Sequence, residues 1–259
     1  MTRFATWNVN SLNVRQQRVE QWITDIAPDV VCMQETKLAD EAFPALSFEA
    51  MGYETVHHGE GRWNGVAILS RVGLTDVVLG FADDADVDSE ARIVTATCGG
   101  VAIVNVYVPN GRSLDSEHYQ YKLRWLERLG DHVDKLSSGT DSVIVAGDFN
   151  IAPADVDVYS PEAFVGATHT SQPEREALAR LSERGLVDVF RAFHPSATSV
   201  FSWWDYRRGD FHEGRGMRID LVLASAPVAK RVEWCVIDRN ARKGQQPSDH
   251  APVVVDLRD

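Results

Sequence analysis

The chain has 259 residues, of which 44% are hydrophobic and 25% charged, and its formal net charge is −12. That length builds one large domain or two small ones, and the apolar share is enough for a sizeable core. The acidic balance argues against a non-specific nucleic-acid binder, but only weakly against an enzyme, because carboxylates that hold a divalent cation add to the acidic count while the metal reverses their local sign.

In chain order, residues 3–9 alternate and are β-rich, which predicts a strand. Within 14–26, Val19, Trp22, Ile23 and Ile26 recur at helical spacing, and the helix ends before Pro28. Residues 29–35 (DVVCMQE) read as a fully buried strand. Residues 53–58 and 66–71 are shorter strands around a Gly-rich turn. Residues 92–98 and 101–108 flank Gly99-Gly100, a two-residue hairpin signal. The longest helix is expected over 115–136, where Tyr119, Leu123, Leu126, Leu129, Val133 and Leu136 form an apolar stripe. Residues 142–149 make another buried strand. A helix over 173–184 has Ser171 near its start and Gly185 as its stop. Strands over 219–225, 231–238 and 252–257 close the chain.

Helices between strands, together with hairpins, exclude a purely doubly wound sheet. They favour an α/β sandwich: two packed mixed sheets with helices on the outer faces. No long linker, low-complexity run or short repeat divides the chain, so residues 1–259 are expected to form a single domain. Cys32, Cys98 and Cys235 have no CxxC or zinc spacing and read as buried thiols. They fit a reducing cytoplasm. Asn8, Asn10 and Ser11 interrupt any signal-peptide core, and no apolar run approaches the roughly 20 residues of a membrane span.

Chemistry-bearing residues follow the apolar runs: Asn8 and Asn10 in WNVNS, Glu35 in QETK, Asp148 and Asn150 in GDFN, Asp249 and His250 in SDH. Several carboxylates with an Asn and a His, and no reactive Ser or Cys nearby, read as metal-assisted hydrolysis of a phosphate ester. Asp148 fits a general base for water, with Asn150 positioning the water or the phosphate. GDFN also fits a plain β-turn. Glu35 closes a buried strand and needs a partner, either Lys37 or an Arg in a salt bridge, or a Mg²⁺ ion, which often takes only one or two protein carboxylates. His250 adjoins Asp249, and Asp220 follows a nearby turn; a carboxylate can hold a His cationic, and a cation aimed at phosphate stabilises transition-state charge. Tyr107, in VYVPN, ends a strand that can reach the same mouth. The other histidines, His57, His58, His118, His132, His169, His194 and His212, have no matching carboxylate constellation and read as surface or packing.

Positive charge clusters despite the net charge: Arg207, Arg208, Arg215 and Arg218 in one group, Arg239, Arg242 and Lys243 in another. The first follows FSWWDYR. At strand spacing one of Trp203 and Trp204 can be buried while the other lines a pocket. Aromatics interleaved with arginines suit an extruded nucleotide beside a phosphate backbone. Arg215 and Asn110 are read as further substrate contacts.

With these motifs in order (WNVNS, QETK, GVAILSR, YVPNG, GDFN, GLVDVFR, FSWWDYR, RIDLVLAS, PSDHAPV) the chain resembles, from first strand to last, the exonuclease III family of DNA-repair nucleases. This family lies within the endonuclease/exonuclease/phosphatase superfamily. The resemblance implies a four-layered, DNase I-like α/β sandwich. It implies Glu35 as metal ligand, Asp148 as the water-activating aspartate, Asn150 beside it and Asn8 supporting it. Tyr107 would contact phosphate, His250 would pair with Asp220, and Asp249 would be a second metal-associated carboxylate, with Asn10 in the same group. Trp203, Met217 and Ile219 would form the pocket for a base-free sugar, Met217 standing where some relatives carry Trp.

The implied enzyme is an exodeoxyribonuclease III-type hydrolase using Mg²⁺, with Mn²⁺ as the alternative. It would cut 5′ to abasic sites in double-stranded DNA, trim 3′ ends, and act as a cytoplasmic monomer away from membranes. The competing expectations are a phosphodiesterase for inositol phosphate or sphingomyelin, and a non-catalytic damaged-DNA binding protein. The first leaves FSWWDYR unexplained; the second leaves a competent residue at every catalytic position unexplained.

Overall fold

The computed structural model describes residues 1–81 and 90–259. The first half runs β1 (Thr2–Asn8), α1 (Leu12–Ile26), β2 (Val30–Gln34), α2 (Ala45–Ala50), β3 (Glu54–His58), β4 (Val66–Ser70), β5 (Thr75–Leu79), β6 (Ile93–Cys98) and β7 (Val101–Tyr107). The second runs α3 (Glu117–Ser137), β8 (Val143–Asp148), α4 (Gln172–Glu183), β9 (Leu186–Asp188), α5 (Val189–Phe193), α6 (Asp210–Glu213), β10 (Asp220–Ser225), α7 (Ala226–Ala229), β11 (Val232–Ile237) and β12 (Val253–Leu257).

The strands form two six-stranded mixed sheets, ordered β11-β12-β1-β2-β4-β3 and β5-β6-β7-β8-β10-β9. Each sheet contains one parallel pair, β1 with β2 and β7 with β8, flanked by antiparallel neighbours. A parallel pair needs a crossover, and α1 and α3 provide the two crossovers. The expected α/β sandwich is therefore the fold. No helix among the described residues is long and apolar enough to cross a membrane.

Alternation builds the layers. Phe4, Val30, Cys32, Val66 and Ile68 of one sheet meet Val94, Ala96, Ile103, Ile144, Ala146 and Val222 of the other in the central core. The opposite faces of the same strands are covered separately. Ala5, Trp7, Val31 and Met33 pack under Val19, Trp22 and Ile23 of α1 and Phe48 of α2. Val104, Val143, Val145 and Leu221 pack under Trp125, Leu126, Leu129 and Val133 of α3 and Ala177, Leu178 and Leu181 of α4.

The helix ends follow local chemistry. α1 stops where Ala27 turns left-handed at φ 50 just before Pro28. α4 opens with a capping box in which Ser171 and Glu174 satisfy each other's backbone N–H groups. The strands that sequence pattern did not reveal are β5, an edge strand with mostly exposed residues, and β9, only 3 residues long. Neither carries a strong alternation signal. The short helices α2, α5, α6 and α7 span too few turns to show helical periodicity.

The inward face of each central strand turns polar at the same end. Reading along β1 gives Phe4, Thr6, Asn8; along β2, Val30, Cys32, Gln34; along β7, Ile103, Asn105, Tyr107; along β8, Ile144, Ala146, Asp148. Just below that end Asn105 crosses between sheets, donating to the carbonyls of Met33 and Ala67 at 2.9 and 2.8 Å. It also accepts from Gln34 at 2.7 Å. Buried polar groups of this kind must be satisfied as a set. Asn105→Leu is expected to lower unfolding free energy by about 2–4 kcal/mol, the order for buried groups left without partners, measured by urea denaturation. A change within about 0.5 kcal/mol, the scatter of neutral surface substitutions, would show that the cross-sheet bonds contribute nothing net.

Candidate active site

Strand register brings the site together. Tyr107, Asp148 and Asp220 lie side by side across β7, β8 and β10. Asn8 lies beside Gln34 across β1 and β2, and Glu35 is the next residue. Gly147 precedes Asp148 at φ 147, and a Cβ there would sit 1.9 Å from the Val106 carbonyl oxygen. Only glycine lets β8 approach β7 this closely. Beyond the strand ends, Asn10, Ser11, Glu35, Lys37 and Asn150 all adopt positive φ. Such residues persist only where their surroundings over-determine them, at about 1–3 kcal/mol each.

Asp148 is buried and heavily bonded. Its Oδ2 accepts from Asn8 Nδ2 at 2.9 Å and from Asn150 Nδ2 at 3.3 Å, and its Oδ1 accepts from the Asn150 N–H at 2.9 Å. Asn8 Nδ2 also donates to Glu35 Oε1 at 2.8 Å, so one amide ties the two carboxylates together. Burial pushes the Asp148 carboxyl up to about 7; Asp220 and Glu35 push the same way, while His250 pulls it down.

His250 Nδ1 bonds Asp220 Oδ2 at 2.8 Å, and Nε2 faces Asp148 Oδ2 at 3.7 Å. Burial alone would lower the His250 pKa, but Asp220 and Asp148 outweigh it and raise it to about 10. The imidazole is therefore a cation at neutral pH, held between two carboxylates.

Glu35 Oε2 accepts from Lys37 at 2.8 Å, so the ion pair weighed against a metal role is present while the carboxylate still faces Asn8 and Asp148. Asp249 lies on the adjoining rim, accepting from Asn10 Nδ2 at 2.9 Å and from Trp203 Nε1 at 3.1 Å. Asn10 Oδ1 accepts from Lys37 at 2.6 Å. Asn10, Glu35, Lys37, Asp249 and Trp203 thus form one connected strip.

Burial pushes the Tyr107 phenol well above its ordinary range, and Glu35 and Asp148 add to this, so it stays a proton donor. The Arg92 guanidinium lies 4.7 Å from its ring centre. Met217 and Ile219 are buried with Ala152 and Val158, and Trp203 packs on them, half-exposed, while Trp204 is fully buried. Arg215 is turned to its own loop, bonding Asp210 and the Arg208 carbonyl. The expected cluster of four arginines is corrected: Arg218 is fully buried, fixed by Asp157 and Asp188, because its planar fork matches two inward carboxylates.

Two histidine readings also change. His57 pairs with Asp40 at 2.8 Å and bonds Thr36, next to Glu35. His169 reaches the site itself: its Nε2 lies 3.3 Å from Asn150 Oδ1 and 3.1 Å from Asn110 Nδ2, whose amide donates to Asn150 Oδ1 at 3.2 Å. Burial lowers its pKa to about 4, with Lys122 acting in the same direction. A neutral imidazole Nε2 can either donate to the one group or accept from the other. No local motif marks His169.

Residues 5–250 match the Endonuclease/Exonuclease/phosphatase family. Exodeoxyribonuclease III of Haemophilus influenzae is 33% identical over 267 residues, covering 99% of this chain and 100% of the relative. The chain belongs to the exonuclease III family. Among solved structures, a point variant of the 3′ phosphatase NExo from Neisseria, bound to product DNA hairpin, superposes with a TM-score of 0.97, at 38% identity and with 100% of both chains covered. An AP endonuclease from Archaeoglobus fulgidus superposes with a TM-score of 0.94 at 38% identity, covering 99% of each chain.

The family's metal dependence fits this donor set. Glu35, Asp148 and His250 each offer an atom within 4.8 Å of the others. Of these, the protonated His250 is a donor to carboxylates and unsuited as a ligand. The two carboxylates are suited to a hard cation that prefers oxygen, and their mutual repulsion is what such a cation relieves. Cavities of about 500 and 530 Å³ lie elsewhere, along α1 and β11, and contain no residue of this cluster.

The imidazolium makes a pH-dependent contribution. Its folded pKa is raised above the unfolded value of 6.5, so its stabilisation is fully present below pH 6.5 and is lost as pH rises through about 10. In metal-free buffer, the stability advantage of wild type over His250→Gln should shrink steadily from pH 6.5 to pH 10 in urea denaturation. A constant difference across that window would mean that His250 is neutral.

Proposed function

We infer that the protein is a DNA-repair phosphodiesterase, acting as an AP endonuclease and as a processor of DNA 3′ ends. The observation that carries this reading is the Asp148 carboxylate, held by Asn8 and Asn150 amides between Glu35 and the His250–Asp220 pair. Mg²⁺ is the proposed metal, with Glu35 as its main ligand and Asp148, Asp249 and Asn10 nearby; when bound it supplies Lewis-acid polarisation of a phosphoryl oxygen. Abasic sites and 3′ ends of duplex DNA are the proposed substrate forms, and a cytoplasmic monomer the proposed working state.

Each residue has a role in this reading. Asp148, with its pKa drawn toward neutrality, takes a proton from the attacking water, which is most effective when base and working pH are close. Asn8 and Asn150 hold its two oxygens in one orientation. The His250 cation offsets charge that develops on phosphate, at no cost in reorganisation because Asp220 already fixes the ring. Tyr107 and Asn110 offer donors to phosphate oxygens. Trp203, Met217 and Ile219 form the wall against which a base-free sugar fits, since extruding that sugar costs less than extruding a paired base. Trp63, 72% exposed, sits on the loop whose Asn64 and Gly65 carbonyls accept from Lys37 and Thr36, beside Glu35. An exposed indole there offers a stacking surface to DNA.

The deciding experiment is cleavage of an abasic duplex and of a recessed 3′ end, with and without chelator. Products ending in 3′-OH and 5′-deoxyribose phosphate, seen only with metal, are expected; no cleavage of either DNA rejects the reading.

Asp148→Asn keeps size and hydrogen-bond reach but accepts no proton at neutral pH. Single-turnover cleavage should fall by at least about 10²–10⁴-fold, with affinity in chelator unchanged or tighter; a rate within about threefold of wild type would remove Asp148 from the mechanism and move the base role to another group. Glu35→Ala should raise the Mg²⁺ concentration needed for half-maximal rate about tenfold or more, as expected when a cation with few protein ligands loses one. An unchanged Mg²⁺ titration would remove Glu35 from the metal site.

A further inference from the structure

A buried ion pair stands behind the cleft. Lys122 projects from α3 and Glu174 from α4; both are fully buried, with Nζ to Oε1 at 2.5 Å. The ammonium also donates to the main-chain carbonyl of Asn150 at 2.7 Å and lies 3.3 Å from that of Asn110. These two residues follow β8 and β7, and their side-chain amides meet at 3.2 Å in the site. Glu174 accepts in addition from the His169 N–H at 3.0 Å, the Ser171 N–H at 3.1 Å and the Ser171 hydroxyl at 2.5 Å.

Packing alone gives no reason for this pair. Removing two charges from water is costly, and apolar side chains of similar volume hold such positions as well or better. The ammonium's three donors go instead to Glu174 and to two loops that carry site residues.

We propose that Lys122, anchored by Glu174, is a positioning residue for the phosphodiester cleavage inferred above: its ammonium fixes the Asn150 and Asn110 main chains, and through Asn150 the orientation of Asp148. The inference rests on that nuclease reading. Asn150 is left-handed, with φ 50. Its N–H faces Asp148 Oδ1, and its side-chain amide faces Asp148 Oδ2 and the Val108 carbonyl. Its carbonyl is the remaining handle, and Lys122 takes it. Without that donor a buried carbonyl is left unpaired, and the unusual backbone conformation loses what over-determines it. The same positive charge, after burial, helps keep His169 neutral.

The test pairs Lys122→Met with Glu174→Leu in the full chain, assayed with Mg²⁺ on the abasic duplex under single turnover, with affinity measured in chelator and melting followed in parallel. The double variant should melt below wild type, because the Asn150 carbonyl and the His169 and Ser171 N–H groups lose buried partners; it should bind DNA within about twofold, yet cleave on the order of 10²-fold more slowly, the penalty of misplacing catalytic groups by about an ångström. Leu178→Ala, on the same face of α4, should lower melting while leaving the rate unchanged. A folded double variant that cleaves within about threefold of wild type overturns the positioning role, as does a rate loss that Leu178→Ala reproduces in proportion to its melting loss. If the apolar pair does not fold, Lys122→Gln with Glu174→Gln decides, because the shorter amide cannot reach the Asn150 carbonyl. A rate about tenfold down at intact affinity supports the role, and a wild-type rate rejects it. A wild type that cleaves no DNA overturns the nuclease reading and this inference together; a cleaving wild type beside an equally active variant overturns this one alone.

Discussion

Asp148 and Asp220 face each other across neighbouring antiparallel strands, and a single imidazole lies against both. Like charges at this distance raise each other's pKa unless a cation intervenes. His250 is that cation, and much of the surrounding structure keeps it in place. Its backbone N–H is held by Ser248, whose hydroxyl donates to the Asn8 carbonyl, and its own carbonyl accepts from Trp7. Ser202 caps the N–H groups of Ile219 and Asp220 and holds Ala251 through its carbonyl. Asn8, Trp203 and His250 are therefore parts of one electrostatic arrangement to which both sheets contribute.

Much of that arrangement was legible in the sequence because strand alternation is a local signal. Asn8, Asp148 and Asp220 lie at strand ends beside apolar runs, and two-residue periodicity puts them on the inner face. Trp203 stays half-exposed while Trp204 is buried, as alternation allows. What stayed hidden depends on distant partners. Lys122 lies on the apolar stripe of α3 with no partner near it in sequence; Glu174 is 52 residues away. Glu174 read only as part of a helix start. His169 carries no cue in its neighbours, and its place at the cleft follows from Glu174 holding its backbone N–H. Arg218 looked like surface charge until Asp157, 61 residues away, supplied a buried partner. Boundaries of the long elements were readable within a residue or two, the ordinary spread at element ends.

The two sheets repeat one plan: an antiparallel edge pair, a parallel pair joined through a helix, and a second antiparallel pair. Asn8, Glu35, Tyr107 and Asp148 come from equivalent places, the carboxyl ends of β1, β2, β7 and β8, whereas Asp220 opens β10 and His250 precedes β12. The division of labour is unequal. The first sheet supplies Asn8 and Glu35; the second supplies Tyr107, Asp148 and Asp220. Asn105 joins the two just below, so the relative placement of the half-sites is set by hydrogen bonds as well as by the apolar core.

The pairing of β12 with β1 also has a consequence for biosynthesis. Ser248, which buttresses Asn8, is 240 residues away from it in the chain. During translation Asn8, Glu35 and Asp148 leave the ribosome well before His250 does. Until β12 docks beside β1, Asp148 and Asp220 lack the cation between them, and their repulsion opposes the pairing of β8 with β10. The charge balance of the site is thus completed only when β12 docks, and an emerging chain without residues 248–257 lacks both the His250 cation and the Ser248 contact to Asn8.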